Sequence, residues 1–183
     1  MESIRCEKVL NLANALTIIR ILLLPAIVWR FCRGDMYGAL AIYLAAMLTD
    51  VADGFAARKL RQITALGKLL DPLADKLSLL TLLGLFSAAG QIPAWILAIV
   101  VLKEIILIVG SYAALREGIV VYALPIGKLT TLAFVLSMTA RFLGYGFAAD
   151  ILLGAFVLLS LAALVWYSIV LMDKRELEDA AVS

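Results

Sequence analysis

The amino-acid sequence predicts an all-α integral membrane protein, a six-transmembrane-helix bundle formed by a single domain over residues 1–183. Hydrophobic residues make up 64% of the chain, whereas soluble domains are usually about half apolar. The charged residues are concentrated between long apolar stretches rather than spread along the chain. The net charge of +2 indicates no strongly basic surface, so binding to nucleic acid is not expected.

Six apolar stretches are candidates for membrane-spanning helices, each of which needs about 20 residues. The first is LNLANALTIIRILLLPAIVWRF, which places Arg20 inside a helix, and the second begins over residues 36–49. The third extends from the aspartate-rich segment to residue 89, and a turn containing Gly90 and Pro93 separates it from the fourth. The predicted bounds of the last three helices are residues 93–115, 125–143 and 151–172.

The distribution of cations predicts the orientation in the membrane, because cytoplasmic loops are enriched in lysine and arginine. Most of these residues lie near the aspartates, at the N-terminus and at the C-terminus, and the opposite side has only Arg30, Arg33 and Arg141. Both termini and the acidic segment are therefore expected in the cytoplasm. Residues 1–11 are a possible interfacial segment and residues 173–183 a cytoplasmic tail. No cleavable signal pattern is present, so the first span is expected to be retained.

The segment LTDVADGFAARKLRQITALGKLLDPLADKL, residues 48–77, is unusually acidic for so apolar a chain. Asp50 and Asp53 are three residues apart and Asp71 and Asp75 four apart, so each pair shares one face of a helix. The uncharged stretches before Asp50 and after Lys76 are too short to cross a hydrocarbon core of about 30 Å. Both helices must therefore extend into the acidic segment, which places the carboxylates at the cytoplasmic interface.

The chemistry open to this segment is restricted, because the sequence contains no histidine. This excludes catalytic nucleophiles that are activated by histidine, and it also excludes metal sites with histidine ligands. Four neighbouring carboxylates repel each other unless cations lie between them. All-oxygen ligands suit Mg²⁺, Mn²⁺ or Ca²⁺, and a pair of such ions is a common clamp for phosphoryl transfer. The alternative is that these aspartates only cap helices and pair with Arg58, Lys68 and Lys76.

The acidic segment also resembles a known family. Its pattern D-x2-D-G-x2-A-R-x8-G-x3-D-x3-D is similar, without a departure, to the signature of the CDP-alcohol phosphatidyltransferases. The segment NLANALTIIRILLLP looks like the first helix of that family. Two further segments look like its phosphatidylglycerophosphate synthase branch: LDPLADKL and IPAW. The resemblance implies a six-helix membrane enzyme, usually a homodimer, that displaces CMP from a CDP-linked lipid with an alcohol.

The resemblance also implies residue roles. Asp50, Asp53, Asp71 and Asp75 would hold two divalent cations, Mg²⁺ or Mn²⁺, and Asp75 would also act as general base. The CDP pocket of the donor, CDP-diacylglycerol, would be lined by Gly54, Ala57, Arg58, Gly67 and Thr17. Thr17 would equally suit a buried helix hydroxyl that bonds to its own backbone. The resemblance thus predicts transfer of a phosphatidyl group to glycerol-3-phosphate, in phospholipid biosynthesis. The short sequence without a cleavable signal fits a protein of a bacterial inner membrane.

The acceptor site is defined less closely by the sequence. Four cations are candidates to surround an acceptor phosphate: Lys103, Arg116, Lys128 and Arg20. An alternative partner for Lys103 is a carboxylate such as Glu104 on another helix or protomer. Phosphatidylglycerophosphate synthases usually have arginine at the position of Lys103 and again eight residues later, where this chain has Ser111.

This departure leaves other activities open. The spacing around Lys103 drifts towards that of cardiolipin synthases, whose acceptor is phosphatidylglycerol. A cation transporter is a third hypothesis, since acids within a membrane can form an ion path. A transporter, however, needs acids near the middle of the bilayer and a polar path across it, whereas these aspartates collect at one face.

Overall fold

The computed structural model describes the backbone of residues 12–60, 65–116 and 125–182, and the side chains of residues 14–49, 70–114 and 126–172. The described backbone forms six α-helices, which confirms the all-α class. The helices are α1 (Leu12–Cys32), α2 (Met36–Leu60), α3 (Ala65–Ala88), α4 (Ala94–Arg116), α5 (Pro125–Phe142) and α6 (Gly146–Val182). The chain divides into two compact units, Met1–Ala89 and Gly90–Ser183.

The acidic segment is helical on both sides of residues 61–64. As predicted, α2 continues past Asp50 and Asp53, and α3 begins before Asp71 and Asp75. With 25 and 24 residues, these helices are each about 36 Å long or slightly more at 1.5 Å per residue. Each is therefore long enough to reach across a bilayer core only when its charged half is included.

The last helix is longer than its apolar stretch predicted. It starts at Gly146 and continues to Val182, so the expected tail is helical almost to its end. The sequence from residue 173 onwards contains neither glycine nor proline and has several strong helix formers. Hydropathy marks where a helix can lie in lipid, not where its hydrogen bonding ends. The possible interfacial segment at residues 1–11 lies outside the described residues.

Three of the described helical segments are long and apolar enough to cross a membrane, judged by length and composition. They are Asn14–Cys32, Ala94–Ala114 and Gly146–Met172. The apolar part of α2, Met36–Thr49, is shorter. Large apolar side chains are exposed on these helices, for example Leu102, Ile108 and Val109 on α4. Such a surface is costly in water and suits contact with lipid.

In the first unit, α1 packs against both α2 and α3. The interior contains Ile27 of α1, Tyr43 of α2 and Phe86 of α3. The rings of Phe31 and Phe86 meet edge to face, with 5.1 Å between their centroids. Small buried residues such as Ala39 and Ala74 let the backbones approach closely, as is usual between helices in membranes. This packing fixes the register of α1 against α3.

In the second unit, α6 packs along α5 and also contacts α4. Phe134 and Phe156 pack with their ring centroids 5.1 Å apart, and the hydroxyl of Ser137 donates to the carbonyl of Ala149 at 2.8 Å. Arg141, at the end of α5, is buried. Its guanidinium bonds to the Asp150 carboxylate of α6 and, at 2.7 Å, to the carbonyl oxygen of Gln91.

The α1–α2 and α5–α6 connections use the same turn. Gly34 and Gly144 have φ angles of 76° and 81°, a conformation that glycine adopts without strain. In each turn the glycine N–H bonds back three residues and the following N–H bonds back five, the pattern of a Schellman motif. Asp35 then caps α2 by accepting from the Gly38 N–H at 2.8 Å. This hydrogen bond and that from Arg30 hold the pKa of Asp35 below its usual value.

Candidate active site

The candidate site is built on a polar stripe of α1. Asn14, Thr17 and Arg20 are spaced three residues apart, so they lie along one face of the helix. All three are buried, although α1 is otherwise strongly apolar. Buried polar groups require polar partners. The partners given by the structure for Thr17 and Arg20 are on α3.

Both partners are aspartates of the acidic segment. The Thr17 hydroxyl donates to Oδ1 of Asp71 at 2.7 Å, and Nη1 of Arg20 donates to Oδ1 of Asp75 at 2.8 Å. The pairing moves forward along both helices, so α1 and α3 run parallel here. Three residues of α1 rise about 4.5 Å and four residues of α3 about 6 Å. The two rises differ by only about 1.5 Å, so both carboxylates can contact α1 at successive turns.

The two ends of the Arg20–Asp75 pair differ in exposure. The Arg20 side chain is completely buried, whereas 59% of the Asp75 side chain is accessible. Asp71 is also exposed. The first helix therefore holds these carboxylates from the protein side, and each still presents surface that a ligand can reach. Arg20 was predicted as an acceptor-phosphate ligand, and in the structure its guanidinium is engaged by Asp75.

The other two aspartates of the acidic segment lie on α2, which, like α3, packs against α1. The backbone positions of Asp50 and Asp53 are within α2, as are those of Gly54, Ala57 and Arg58. The structure does not describe the side chains of these residues or that of Lys68. It also does not describe what surrounds Gly67 on α3. The alternative in which Arg58 and Lys68 pair with the aspartates therefore also stays a prediction.

The described side chains include two of the four predicted cation ligands. No group of three or more possible metal-ligating side chains occurs among them. They do include the exposed carboxylates of Asp71 and Asp75, whose oxygens are the donors that Mg²⁺ and Mn²⁺ prefer. Two carboxylates on one face of α3, held by α1, fit one side of the predicted site. The other side depends on Asp50 and Asp53.

The predicted acceptor residues of the second unit differ from one another in burial. Lys103 is buried within α4, and its Nζ lies 2.5 Å from Oε1 of Glu104, which is also buried. The alternative had placed this carboxylate on another helix or protomer, and the structure shows a contact with Glu104 of the same helix. Lys128 is exposed near the start of α5. The side chain of Arg116, the last residue of α4, is outside the described part.

Ser111 faces the last helix. The hydroxyl of Tyr167 on α6 donates to Oγ of Ser111 at 3.2 Å. A Cβ atom placed on the neighbouring Gly110 would lie 3.7 Å from the Tyr167 ring. The small residues at positions 110 and 111 therefore allow α4 and α6 to approach at this tyrosine. An arginine at position 111 would have to displace the Tyr167 contact.

Asn14 and Tyr167 were not identified from the sequence. For Asn14 a signal was present, because its spacing from Thr17 and Arg20 forms a polar stripe in an apolar helix. Tyr167 gave no signal, since one tyrosine in a long apolar stretch is typical of a membrane helix. Its relation to Ser111 depends on the packing of two helices that are distant in sequence.

Comparison with known proteins gives one consistent result. The family model of the CDP-alcohol phosphatidyltransferases matches residues 10–172, which includes parts of both units. A CDP-diacylglycerol–glycerol-3-phosphate 3-phosphatidyltransferase of Aquifex aeolicus is 34% identical over 131 residues, covering 70% of this chain and 74% of the relative. A Bacillus subtilis protein of the same name is 33% identical over 149 residues, covering 73% and 77%. A putative cardiolipin synthase of Mycobacterium bovis is 33% identical over 143 residues, covering 75% and 67%.

Proposed function

Since the chain belongs to the CDP-alcohol phosphatidyltransferase family, we propose that it transfers the phosphatidyl group of CDP-diacylglycerol to glycerol-3-phosphate. The products are CMP and phosphatidylglycerophosphate. The observation that carries the proposal is the pair Asp71 and Asp75, which share one exposed face of α3 and are both bonded by α1. They are the last two aspartates of the family motif, which has eight fixed positions between Asp50 and Asp75.

The proposed donor site joins the acidic halves of α2 and α3. Two divalent cations, Mg²⁺ or Mn²⁺, would be held by Asp50, Asp53, Asp71 and Asp75. When bound, such cations supply positive charge at the pyrophosphate and at the departing CMP. Gly54, Ala57, Arg58 and Gly67 are the proposed lining of the CDP pocket. Thr17 is the proposed contribution of α1, and its hydroxyl can accept a hydrogen bond while it donates to Asp71.

The proposed reaction is a displacement at the phosphorus that carries the diacylglycerol group. Asp75 takes the proton of the acceptor hydroxyl, and the hydroxyl oxygen forms a bond to that phosphorus. The bond from the phosphorus to the bridging oxygen breaks, and CMP leaves with the electron pair. A general base must lie within reach of the proton that it removes. The accessibility of the Asp75 carboxylate supports this role.

The proposed acceptor ligands are the cations of the second unit. Lys103, Arg116 and Lys128 would supply charge-assisted hydrogen bonds to the phosphate of glycerol-3-phosphate. Lys103 contacts Glu104 in the structure, and an ammonium group has three N–H donors. The proposed setting is a homodimer in a bacterial inner membrane, with both termini in the cytoplasm.

Phosphatidylglycerol is the second candidate acceptor. Ser111 occupies the position where the synthases usually have arginine, and its hydroxyl is bonded to Tyr167. A relative of similar identity is named a putative cardiolipin synthase. An acceptor whose phosphate is a diester carries one negative charge on that group and needs fewer cations than a phosphate monoester. The missing arginine is compatible with such an acceptor.

The first experiment measures CMP release by the purified, detergent-solubilised protein with CDP-diacylglycerol and Mg²⁺ or Mn²⁺. Glycerol-3-phosphate, phosphatidylglycerol and inositol phosphate are supplied in separate reactions. Turnover with glycerol-3-phosphate alone supports the proposed function. Turnover with phosphatidylglycerol alone assigns the protein to cardiolipin synthesis. Activity that persists in excess chelator would contradict the two-metal mechanism, whatever the acceptor.

A further inference from the structure

We propose that Arg20 is a positioning residue for Asp75, and that its guanidinium fixes the carboxylate that receives the acceptor proton rather than binding the acceptor phosphate. The inference rests on the proposed function, since it assigns a role within that reaction. It starts from the direct contact between Nη1 of Arg20 and Oδ1 of Asp75.

Arg20 is far less accessible to a substrate than Asp75. Its side chain is completely buried, whereas 59% of the Asp75 side chain is accessible. An acceptor phosphate that enters from the exposed side would meet the Asp75 carboxylate before it reached the guanidinium. A carboxylate and a phosphate would then compete for the same cation at short range. Arg20 is therefore placed to act on the substrate through Asp75.

The contact with Arg20 restricts the rotation of the Asp75 side chain. An aspartate side chain on an exposed helix face can rotate between several rotamers, which moves its oxygens by more than an ångström. A hydrogen bond to a charged donor from a buried guanidinium restricts that rotation. A general base must be held within hydrogen-bond reach of its proton, so this restriction has a direct catalytic use.

The contact between Arg20 and Asp75 has a counterpart on the same two helices. One turn earlier on α1, Thr17 makes the equivalent contact with Oδ1 of Asp71. Two successive polar residues of α1 thus hold two successive aspartates of α3, each at Oδ1. The first helix is the common support of both carboxylates, with an uncharged donor at Asp71 and a cation at Asp75.

The kinetic test uses the full-length protein in detergent and the acceptor that supports CMP release. Arg20→Gln is expected to lower kcat about 100-fold, the effect of misplacing a catalytic group by about 1 Å, and to leave the acceptor KM nearly unchanged. Arg20→Lys should recover part of kcat, because it keeps the cation but not the planar fork. A higher acceptor KM with kcat retained would overturn the proposal and restore Arg20 as a phosphate ligand.

Arg141→Gln is the matched control. Arg141 is also buried, and it is also paired with an aspartate of a neighbouring helix, but it has no assigned role in the reaction. Its replacement should lower the temperature of unfolding and leave kcat close to that of the unaltered protein. If Arg20→Gln and Arg141→Gln behave alike in both measurements, the role of Arg20 is structural and the proposal is wrong.

A second measurement separates this proposal from the proposed function. The temperature of unfolding is compared for the unaltered protein, Arg20→Gln, Asp75→Ala and the double variant. Coupled residues are expected to lose less together than the sum of their separate losses. Additive losses would show that the contact is absent in solution and would overturn the proposal. Strong coupling in a protein that releases no CMP would instead place the error in the proposed reaction.

Discussion

Asp71 and Asp75 differ in how α1 holds them, and this difference concerns the reaction. Asp71 accepts from a neutral hydroxyl, and Asp75 accepts from a buried cation. The positive charge of Arg20 therefore partly balances the negative charge of Asp75, whereas the Thr17 hydroxyl brings no positive charge to Asp71. A carboxylate with less balancing charge attracts a divalent cation more strongly. Of these two aspartates, Asp71 is therefore expected to contribute more to the binding of a divalent cation.

Asp71→Asn and Asp75→Asn are each expected to abolish CMP release, because an amide neither binds a divalent cation well nor removes a proton. The measurement is CMP release by variants that are inserted in the membrane and folded. Asp35→Asn is the matched control, since Asp35 also bonds to an arginine but caps α2 in a turn, where asparagine is an equally good cap. Near-normal turnover of either site variant would refute the two-metal assignment.

Lys103→Gln is expected to raise the acceptor KM about tenfold or more, since a lost hydrogen bond to a charged group is worth about 1.5–3 kcal/mol. The donor KM should change much less. Steady-state kinetics with each substrate varied in turn will measure both values. Glu104→Gln is the control, because it breaks the same ion pair but keeps the lysine. If both variants only lose stability, Lys103 is a structural partner of Glu104.

Among the helices and their connections, the connections place stricter requirements on the identity of a residue than the apolar helices do. The turns at Gly34 and Gly144 share one hydrogen-bonding pattern and one left-handed glycine conformation. A left-handed backbone costs other residues about 1–2 kcal/mol. The helix bodies, by contrast, tolerate many apolar residues on their exposed faces. Stability in these segments therefore depends strongly on a few turn positions.

Gly144→Ala is expected to lower the temperature of unfolding by a few degrees, following from a cost of about 1–2 kcal/mol. The matched control is Gly154→Ala, in the middle of α6, where an added Cβ has no atom within 4 Å. That variant should be as stable as the unaltered protein or more so, because alanine favours the helix by about 1 kcal/mol. Equal losses in thermal unfolding would show that the φ angle of Gly144 is not the cause.

At the scale of the whole molecule, the question is how many of the six helices cross the membrane. Within the part of the chain that the structure describes, three segments qualify by length and composition alone: Asn14–Cys32, Ala94–Ala114 and Gly146–Met172. The other three helices carry charged residues within or near their ends. If all six cross, the two termini lie on the same side of the membrane. If only the three long apolar helices cross, the termini lie on opposite sides.

Reporter fusions at the two termini, expressed in bacteria, will therefore count the crossings by parity. We expect a reporter that is active only in the cytoplasm to work at both ends. A fluorescent protein that folds only in the cytoplasm and a phosphatase active only outside it give opposite signals, so each end has its own control. A cytoplasmic N-terminus with an external C-terminus would refute the six-span topology.

Much of the local structure was predictable from the sequence. Helical spacing placed each pair of aspartates on one face, and the short uncharged stretches required α2 and α3 to include them, which the structure confirms. The sequence motif also predicted the family. These properties depend on residues close together in the chain, where the geometry of a helix is regular. The end of α6 was missed because its final residues are polar, and hydropathy does not report polar helices.

The pairing of helices was decided only by the tertiary structure. Thr17 and Arg20 lie more than 50 positions from Asp71 and Asp75, and no periodicity within either helix specifies the register between them. That register is set by the packing of apolar side chains such as Phe31 against Phe86. The same holds for Tyr167 and Ser111. The candidate catalytic and metal-binding residues could be named from the sequence motif, because the motif lies within two neighbouring helices. The buried groups that contact Asp71 and Asp75 could not, because they depend on packing between helices distant in the chain.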